Sequence, residues 1–344
     1  MNRLPTAVLL LAAVLLGLFP WANAGRAALP MQVIVVESMT LPIVQGTTKW
    51  IRAQLEELGY REEQDIRFRI INAEGDGARA QDELGQALSE DRPDLVVTVA
   101  TLASRAGREL LLDSDVPQLF AIVADPVGEG FAPELGAASG SNISGRTHVL
   151  GVDTILEQAS RILQRPDGQP FRIALLCSSY PSAVANHREL MSAQSHYANI
   201  EIVPITMDYQ PGEGGSAAML EQAVAAIESA EGRFDGLWIA TGPSAHDSSF
   251  RSGLRARSGL PLVFGQGIEA VREGALMALS SNDETNGRAV GKMAAAVLNG
   301  APLSDMPIER PTTFVAAVNI STAIGLGVSV PSDLIELAGP NIFR

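Results

Sequence analysis

Short apolar runs of strand length alternate along this chain with amphipathic stretches of helix length, and the alternation occurs twice. Residues 33–36, 66–71, 95–99 and 119–123 are β-branched or apolar runs bounded by polar or turn-forming residues. Residues 173–176, 200–205, 237–240 and 262–264 repeat the pattern. Between them the apolar positions change to helical spacing. Trp50, Ile51, Leu55 and Leu58 share one face and stop at Gly59. Leu220, Val224 and Ile227 form a second such face, and Val290, Met293, Ala294 and Val297 a third. Strands that are apolar throughout are covered on both sides, so strands joined by helices imply parallel βαβ units. The units are too many for one compact sheet, and the polar stretch Ser139-Gly140-Ser141-Asn142-Ile143-Ser144-Gly145 divides them into halves. The pattern predicts an α/β chain of two doubly wound parallel-sheet lobes. A (β/α)8 barrel, with the same number of alternating units, is the competing arrangement.

Composition narrows the function classes. At 344 residues the chain has the length of two domains, and 46% hydrophobic residues exclude disorder as its main state. A net charge of −14 argues against a nucleic-acid-binding face, which needs clustered Lys and Arg. The single cysteine, Cys177, excludes an internal disulfide framework and a cysteine-based zinc site. It ends the run Ile173-Ala174-Leu175-Leu176 and is expected to be a buried thiol.

The first residues read as a targeting segment. Arg3 gives a positive start, residues 7–19 form a short apolar region, and Ala22-Asn23-Ala24 offers the small residues a signal peptidase reads. A signal peptide over 1–24 is expected, cleaved after Ala24. The competing reading is an uncleaved anchor, but the apolar run is short for a bilayer and Pro20 interrupts it. No cysteine follows for lipidation, and no later stretch reaches spanning length. The expected product is a soluble exported protein, most simply periplasmic, with no membrane insertion after cleavage.

Ligands of open parallel sheets bind beyond the carboxyl ends of the strands. The loops there are Glu37-Ser38-Met39-Thr40, Ala100-Thr101-Leu102-Ala103-Ser104, Ala124-Asp125-Pro126, Ser178-Ser179-Tyr180, Thr241-Gly242-Pro243-Ser244 and Gly265-Gln266-Gly267. Most are small and hydroxylic, and several run into a helix start, where backbone N–H groups and short donors suit a carboxylate or another small polar ligand. Any one Ser or Thr in such a place is ordinarily just a helix cap; the recurrence in both halves is the informative part. Catalytic patterns are missing. His148, His187, His196 and His246 form no His-Glu-x-x-His motif, and no Gly-x-Ser-x-Gly elbow or phosphate-binding loop occurs. His246-Asp247 reads as a solvated loop pair rather than a dyad. No metal or cofactor site is expected, and binding is favoured over turnover.

Several segments resemble the ABC-transporter substrate-binding family that includes tryptophan- and tyrosine-binding members. These are residues 55–60, Asn72-Ala73-Glu74-Gly75-Asp76, Pro93-Asp94-Leu95-Val96-Val97 with Ala100-Thr101, and Phe120-Ala121-Ile122-Val123-Ala124-Asp125-Pro126-Val127-Gly128. Asn142-Ile143-Ser144-Gly145, Gly274-Ala275-Leu276, Gly287-Arg288 and Val318-Asn319-Ile320-Ser321-Thr322-Ala323 with Gly325 extend the similarity over nearly all of 31–338. The resemblance implies a type I periplasmic-binding-protein fold, two lobes closing on a ligand about three hinge crossings. It implies one lobe from 31–146 plus 283–309 and another from 147–282 plus 310–344. The crossings would fall near Gly145, Ser281 to Asp283, and Pro311. Carried over by position, the ligand residues would be Ser38, Thr40, Thr101, Leu102, Asp125, Ser179, Tyr180, Thr241, Ser244, Gln266 and Asp283. Thr101 would offer its hydroxyl and nearby N–H groups to a carboxylate, Asp125 would stand at the cleft edge or serve its own turn, and Tyr180 would supply a ring.

Two departures bear on specificity. Leu41 precedes Pro42 where the family often has His-Pro. Thr241-Gly242-Pro243 stands where it commonly has Thr-Asp-Asn, whose acid can pair with a ligand amino group. The loss of that acid points to a neutral or anionic ligand. The expected function is capture of a small polar organic molecule, amino-acid-like or an organic acid, by a monomer that delivers it to an inner-membrane ABC permease. The alternative is a sensory module presenting the closed clamp to a membrane receptor or kinase; an enzyme is the least supported.

Overall fold

The computed structural model describes residues 29–344, so the segment read as a signal peptide lies outside the described residues. The first half winds β1 (Met31–Glu37), α1 (Pro42–Glu57), β2 (Ile66–Asn72), α2 (Gly77–Glu90), β3 (Leu95–Val99), α3 (Thr101–Leu111), β4 (Gln118–Ala121) and β5 (Ile143–Arg146). Its five strands lie in the order β2-β1-β3-β4-β5, all parallel. The second half follows with α4 (Val152–Ile162), β6 (Phe171–Ser178), α5 (Pro181–Ala193), β7 (Ile200–Met207), α6 (Gly215–Ser229), β8 (Gly236–Ile239), α7 (Pro243–His246), α8 (Ser248–Ser258), β9 (Leu262–Phe264), α9 (Ile268–Arg272) and β10 (Met277–Ser280). The chain continues through α10 (Asp283–Leu298), β11 (Val315–Asn319), α11 (Ile320–Leu326), α12 (Ser332–Ala338) and β12 (Ile342–Phe343). The second sheet has seven strands in the order β12-β11-β10-β9-β8-β6-β7, parallel except where β10 meets β11. This is the two-sheet α/β architecture expected from the alternation, and it is not a barrel.

The apolar runs are strands because both of their faces are buried. In β1, Val33 and Val35 enter one core cluster while Ile34 and Val36 enter another. In β6, Ile173, Leu175 and Cys177 face one side, and Ala174 and Leu176 the other. Cys177 is therefore a buried thiol, and burial pushes its pKa up to about 11.

The polar stretch 139–145 divides the chain differently from its appearance in sequence. Its last residues form β5, which pairs with β4 and completes the first sheet. Ser144 donates its hydroxyl to the Met306 carbonyl at 3.0 Å, and a β-carbon on Gly145 would collide with the Phe120 carbonyl oxygen. Glycine is needed there for the close approach of two strands.

One helix from the far end of the chain belongs with the first sheet. After β10, α10 packs along α1 and against β4 and β5. Small residues make that packing close. A β-carbon on Gly287 would lie 2.6 Å from Trp50 Cβ, and one on Gly291 2.7 Å from Gln54 Cβ. Arg288 pairs with Glu57 at 2.7 Å and Glu284 at 2.8 Å along the seam. The backbone passes between the two sheets at residues 147–151, 281–282 and 310–314.

Candidate functional site

The carboxyl ends of both sheets face each other, and several of the helices that start there carry no cap from their own N-terminal residue. Side chains of Asp76, Asp247, Asn282 and Asn319 cap α2, α8, α10 and α11. By contrast α1, α3 and α5 begin at Leu41, Ala100 and Tyr180 with no side-chain cap. The hydroxyls of these loops do not cap their own helices, which was their ordinary alternative role. Ser38 instead accepts from the Ala103 N–H at 2.9 Å, satisfying α3 from the neighbouring strand. Backbone strain collects at the same edge. Ala100 has φ 71° and Ile122 has φ 51°, directly after β3 and β4. Such conformations cost about 1–3 kcal/mol each and cluster at binding sites.

The lobes touch across the middle of this cleft. On the second lobe's side Tyr180 is buried and packs edge-on against Tyr209 of the same lobe, with ring centroids 4.9 Å apart. Tyr209 donates its hydroxyl to the Gly75 carbonyl at 3.2 Å, and Arg188 pairs with Asp125 at 2.7 Å. Only about 40 Å³ of space is left there, beside Thr101, Tyr180, Thr241 and Gly242. The Tyr180 hydroxyl faces the Leu102 backbone and Ser38 but has no hydrogen-bond partner among the described residues, and burial first of all raises its pKa far above a free phenol's. Tyr180→Phe should therefore leave stability unchanged or raise it by up to about 1 kcal/mol, measured by urea denaturation. A loss beyond that value would mean that the hydroxyl is bonded in solution.

A larger cavity of about 430 Å³ opens beside this contact, against the crossings 147–151 and 281–282. That size lies in the usual range for small-molecule sites. The first sheet's side supplies Pro42, Ile43, Asp125 and Asp283; the second supplies Asn186, Glu189, Thr241, His246, Arg251, Gln266 and Glu273. Thr241 is fixed from two directions, its hydroxyl accepting from Gln266 Nε2 at 2.9 Å and its N–H donating to Asn186 Oδ1 at 2.9 Å. Arg251 is buried in the wall, donating to Glu273 at 2.6 and 3.1 Å and to the Ala245 carbonyl at 2.9 Å.

His148 and His246 line both cavities. Burial pushes the pKa of His148 down to about 4. Burial, then repulsion from His148 and Arg251, pushes His246 down to about 3. Both rings are neutral at ordinary pH. Among the described residues His148 Nδ1 is buried without a hydrogen-bond partner. Burial also raises the pKa of Glu189, against the opposing effect of Arg310.

The expected ligand residues divide among these spaces. Asp125, Thr241, Gln266 and Asp283 meet at the large cavity, whereas Thr101 and Tyr180 border only the small one. Thr40 and Ser244 border a third cavity of about 410 Å³ on the Tyr209 side of the contact. Thr40 accepts from Asn72 at 2.9 Å, and Ser244 is buried against Met219. Ser38, Leu102 and Ser179 line none of the three. Ser38 is taken up by the Ala103 N–H, Leu102 packs against the core, and Ser179 is exposed and accepts from the Tyr209 N–H at 2.9 Å.

Sequence reasoning passed over His148, Asn186, Glu189, His246, Arg251 and Glu273. The pair His246-Asp247 is not a solvated loop pair: Asp247 caps α8 through the Ser249 and Phe250 N–H groups, and His246 turns into the cavity. The spacing of Ala185, Asn186 and Glu189 on one face of α5, directly after Tyr180, was the available signal for two of the others.

Comparison with known proteins agrees with the two-sheet fold. The family described as ABC transporter substrate binding protein matches residues 31–342. A tyrosine-binding protein of Clostridioides difficile strain R20291 is 24% identical over 302 residues, covering 88% of this chain and 80% of that protein. A Streptococcus pneumonia ABC domain in complex with L-Trp superposes with a TM-score of 0.75 at 21% identity, over 92% of this chain and 100% of that one. A ligand-free, open structure of a Clostridium difficile substrate binding protein with adhesive properties gives a TM-score of 0.65 at 22% identity, over 91% and 98%. All three are described as binding proteins or as holding a bound amino acid. The chain belongs to the ABC transporter substrate binding protein family, on a match that spans both of its sheets.

Proposed function

We propose that the protein is exported, loses residues 1–24, and captures a small polar organic molecule in the cavity between its lobes. It then delivers the closed complex, as a monomer, to an inner-membrane ABC permease. The lobes are 31–146 plus 283–309 and 147–282 plus 310–344, moving about the three crossings. The observation that carries this reading is the cavity of about 430 Å³ whose polar walls come from both lobes, so that neither lobe alone completes it. A solute that contacts both walls biases the equilibrium toward closure by its differential affinity for the closed form. Asp125, Thr241, Gln266 and Asp283 are its first contacts, and Thr101 and Tyr180 hold the lobes together beside it. An amino-acid-sized ligand, as named for the relatives that bind tyrosine and L-Trp, suits the volume.

A thermal-shift screen of the purified protein against amino acids, amines, organic acids, purines and sugars tests the reading. A ligand supplied at 100 times its Kd adds about 2.7 kcal/mol to stability and raises the melting temperature accordingly. If no member of so broad a panel moves the melting curve, solute capture is the wrong function.

A further inference from the structure

Two polar contacts join the lobes directly, and they border different cavities. Arg188, on α5 of the second lobe, pairs at 2.7 Å with Asp125, which follows β4 of the first. Tyr209, which follows β7, donates its hydroxyl at 3.2 Å to the carbonyl of Gly75, which follows β2. Asp125 borders the large cavity, beside the crossings, whereas Tyr209 and Gly75 border the third cavity, which no crossing residue lines. β2 and β7 are edge strands of their sheets, so the tyrosine contact sits at the rim of the cleft. Neither Arg188 nor Tyr209 lines the large cavity. Both contacts are made between protein atoms of the two lobes, and a solute in the large cavity takes no part in them.

The groups that meet are already fixed within their own lobes. Asp125 gives one carboxylate oxygen to the Gly128 N–H at 2.8 Å and the other to Arg188. The Gly75 N–H donates to the Ser38 carbonyl at 2.7 Å, and the next residue, Asp76, caps α2, which sets the direction of the Gly75 carbonyl. Gly75 has φ 85°, and a β-carbon on it would lie 2.5 Å from the Tyr209 oxygen; only glycine allows this approach. In the second lobe the Tyr209 N–H is held by Ser179 Oγ at 2.9 Å, and its ring packs on Tyr180. Burial, then Asp76, pushes the Tyr209 pKa up to about 12, so the hydroxyl keeps the proton it donates. Groups preorganised in this way lose little conformational freedom when they meet.

We infer that Tyr209 and Arg188 form a latch: two positioning residues outside the solute cavity that hold the lobes closed through protein contacts alone. The inference rests on the lobe motion of the proposed function, but on no choice of solute. Rotation about the crossings carries the far rim furthest, so opening separates Tyr209 from Gly75 and draws Arg188 off Asp125. An exposed ion pair and a neutral hydrogen bond each shift such an equilibrium by up to about fivefold. Closure supplied by the latch is closure the solute does not have to drive, and apparent affinity for the closed form rises in proportion to the closed fraction.

Spin labels on Asp82→Cys of α2 and Glu228→Cys of α6, exposed positions in opposite lobes, report the lobe separation by double electron–electron resonance; Cys177 is buried and stays unlabelled. The labelled parent, without added solute, should show a short-distance population. Arg188→Gln and Tyr209→Phe should each lower the ratio of closed to open about fivefold, and the double variant more than tenfold. Neither change removes core packing, since the Arg188 side chain is 66% exposed and phenylalanine keeps the ring against Tyr180. A parent with no short-distance population overturns the latch and leaves lobe motion standing. A double variant with the parent's mixture of short and long distances does the same. One narrow short distance in every protein, unmoved by the solutes of the thermal-shift panel, overturns the latch and the lobe motion together.

Discussion

Glu273→Ala lowers the stability of the protein by about 2–3 kcal/mol, because it strands a guanidinium that pairs with no other anion among the described residues. The Arg251 side chain is 6% exposed, and its partner is 35% exposed. Removing one member of a fully buried pair costs about 3–5 kcal/mol, and the partial exposure of Glu273 brings the expected value below that range. The Ala245 carbonyl still accepts one bond from Arg251 but carries no charge. Arg251→Met combined with Glu273→Leu removes both charges, and most of the lost stability should return. Urea denaturation of the single and double variants measures the difference. Equal destabilisation by both would show that Arg251 contributes through packing and not through its charge.

Acid provides the second large effect. His148 and His246 ionise near 4 and 3 in the folded protein, below the ordinary histidine value of about 6.5 in the unfolded chain. Below pH 6.5 the unfolded state binds the protons first, so stability is complete above that pH and falls steadily as pH drops toward the folded values. At pH 5 each ring should cost about 1–2 kcal/mol relative to pH 8, allowing for water in the cavity that both rings line. The double variant His148→Gln, His246→Gln should lose correspondingly less between pH 8 and pH 5. Parallel stability curves for the two proteins would show that the rings protonate in place and that carboxylates carry the acid sensitivity.

The sheets are legible in the sequence wherever both faces of a strand are buried by large residues. Val33-Ile34-Val35-Val36 and Ile173-Ala174-Leu175-Leu176 are such runs, and they lie inside β1 and β6. Two inner strands toward one end of the second sheet are not legible in this way. Strand β11 is Val315-Ala316-Ala317-Val318-Asn319, whose small residues are equally at home in a helix, and β10 has four residues. Strand β5 hides for the opposite reason: its Ser144 and Gly145 look like a linker but are buried by one hydrogen bond and one close strand approach.

The site divides along similar lines. Thr241 and Gln266 are visible because they follow strands directly, and the parallel-sheet rule aims such residues at the cleft. Glu189 and Arg251 sit inside helices, where a charged residue reads as solvated surface until its neighbours are known. Tyr180 shows the limit of that rule. Its place after β6 is read correctly, yet its ring closes against Tyr209 and does not line the large cavity.

The return of α10 to the first sheet also has a consequence for how the molecule assembles. Tyr60 donates its hydroxyl to the Ala295 carbonyl, 235 positions later, and Arg288 reaches back to Glu57. The covering of α1 therefore cannot form until nearly all of the chain is available, even though its sheet partners are complete by Arg146. Pairings this distant in sequence carry a large loop-closure entropy and slow folding. A ribosome or a secretion channel releasing this polypeptide from its amino end would hold an unfinished first half, with the α1 seam open, until the last quarter emerged. The same topology that links the two sheets would thus delay folding until synthesis is almost over.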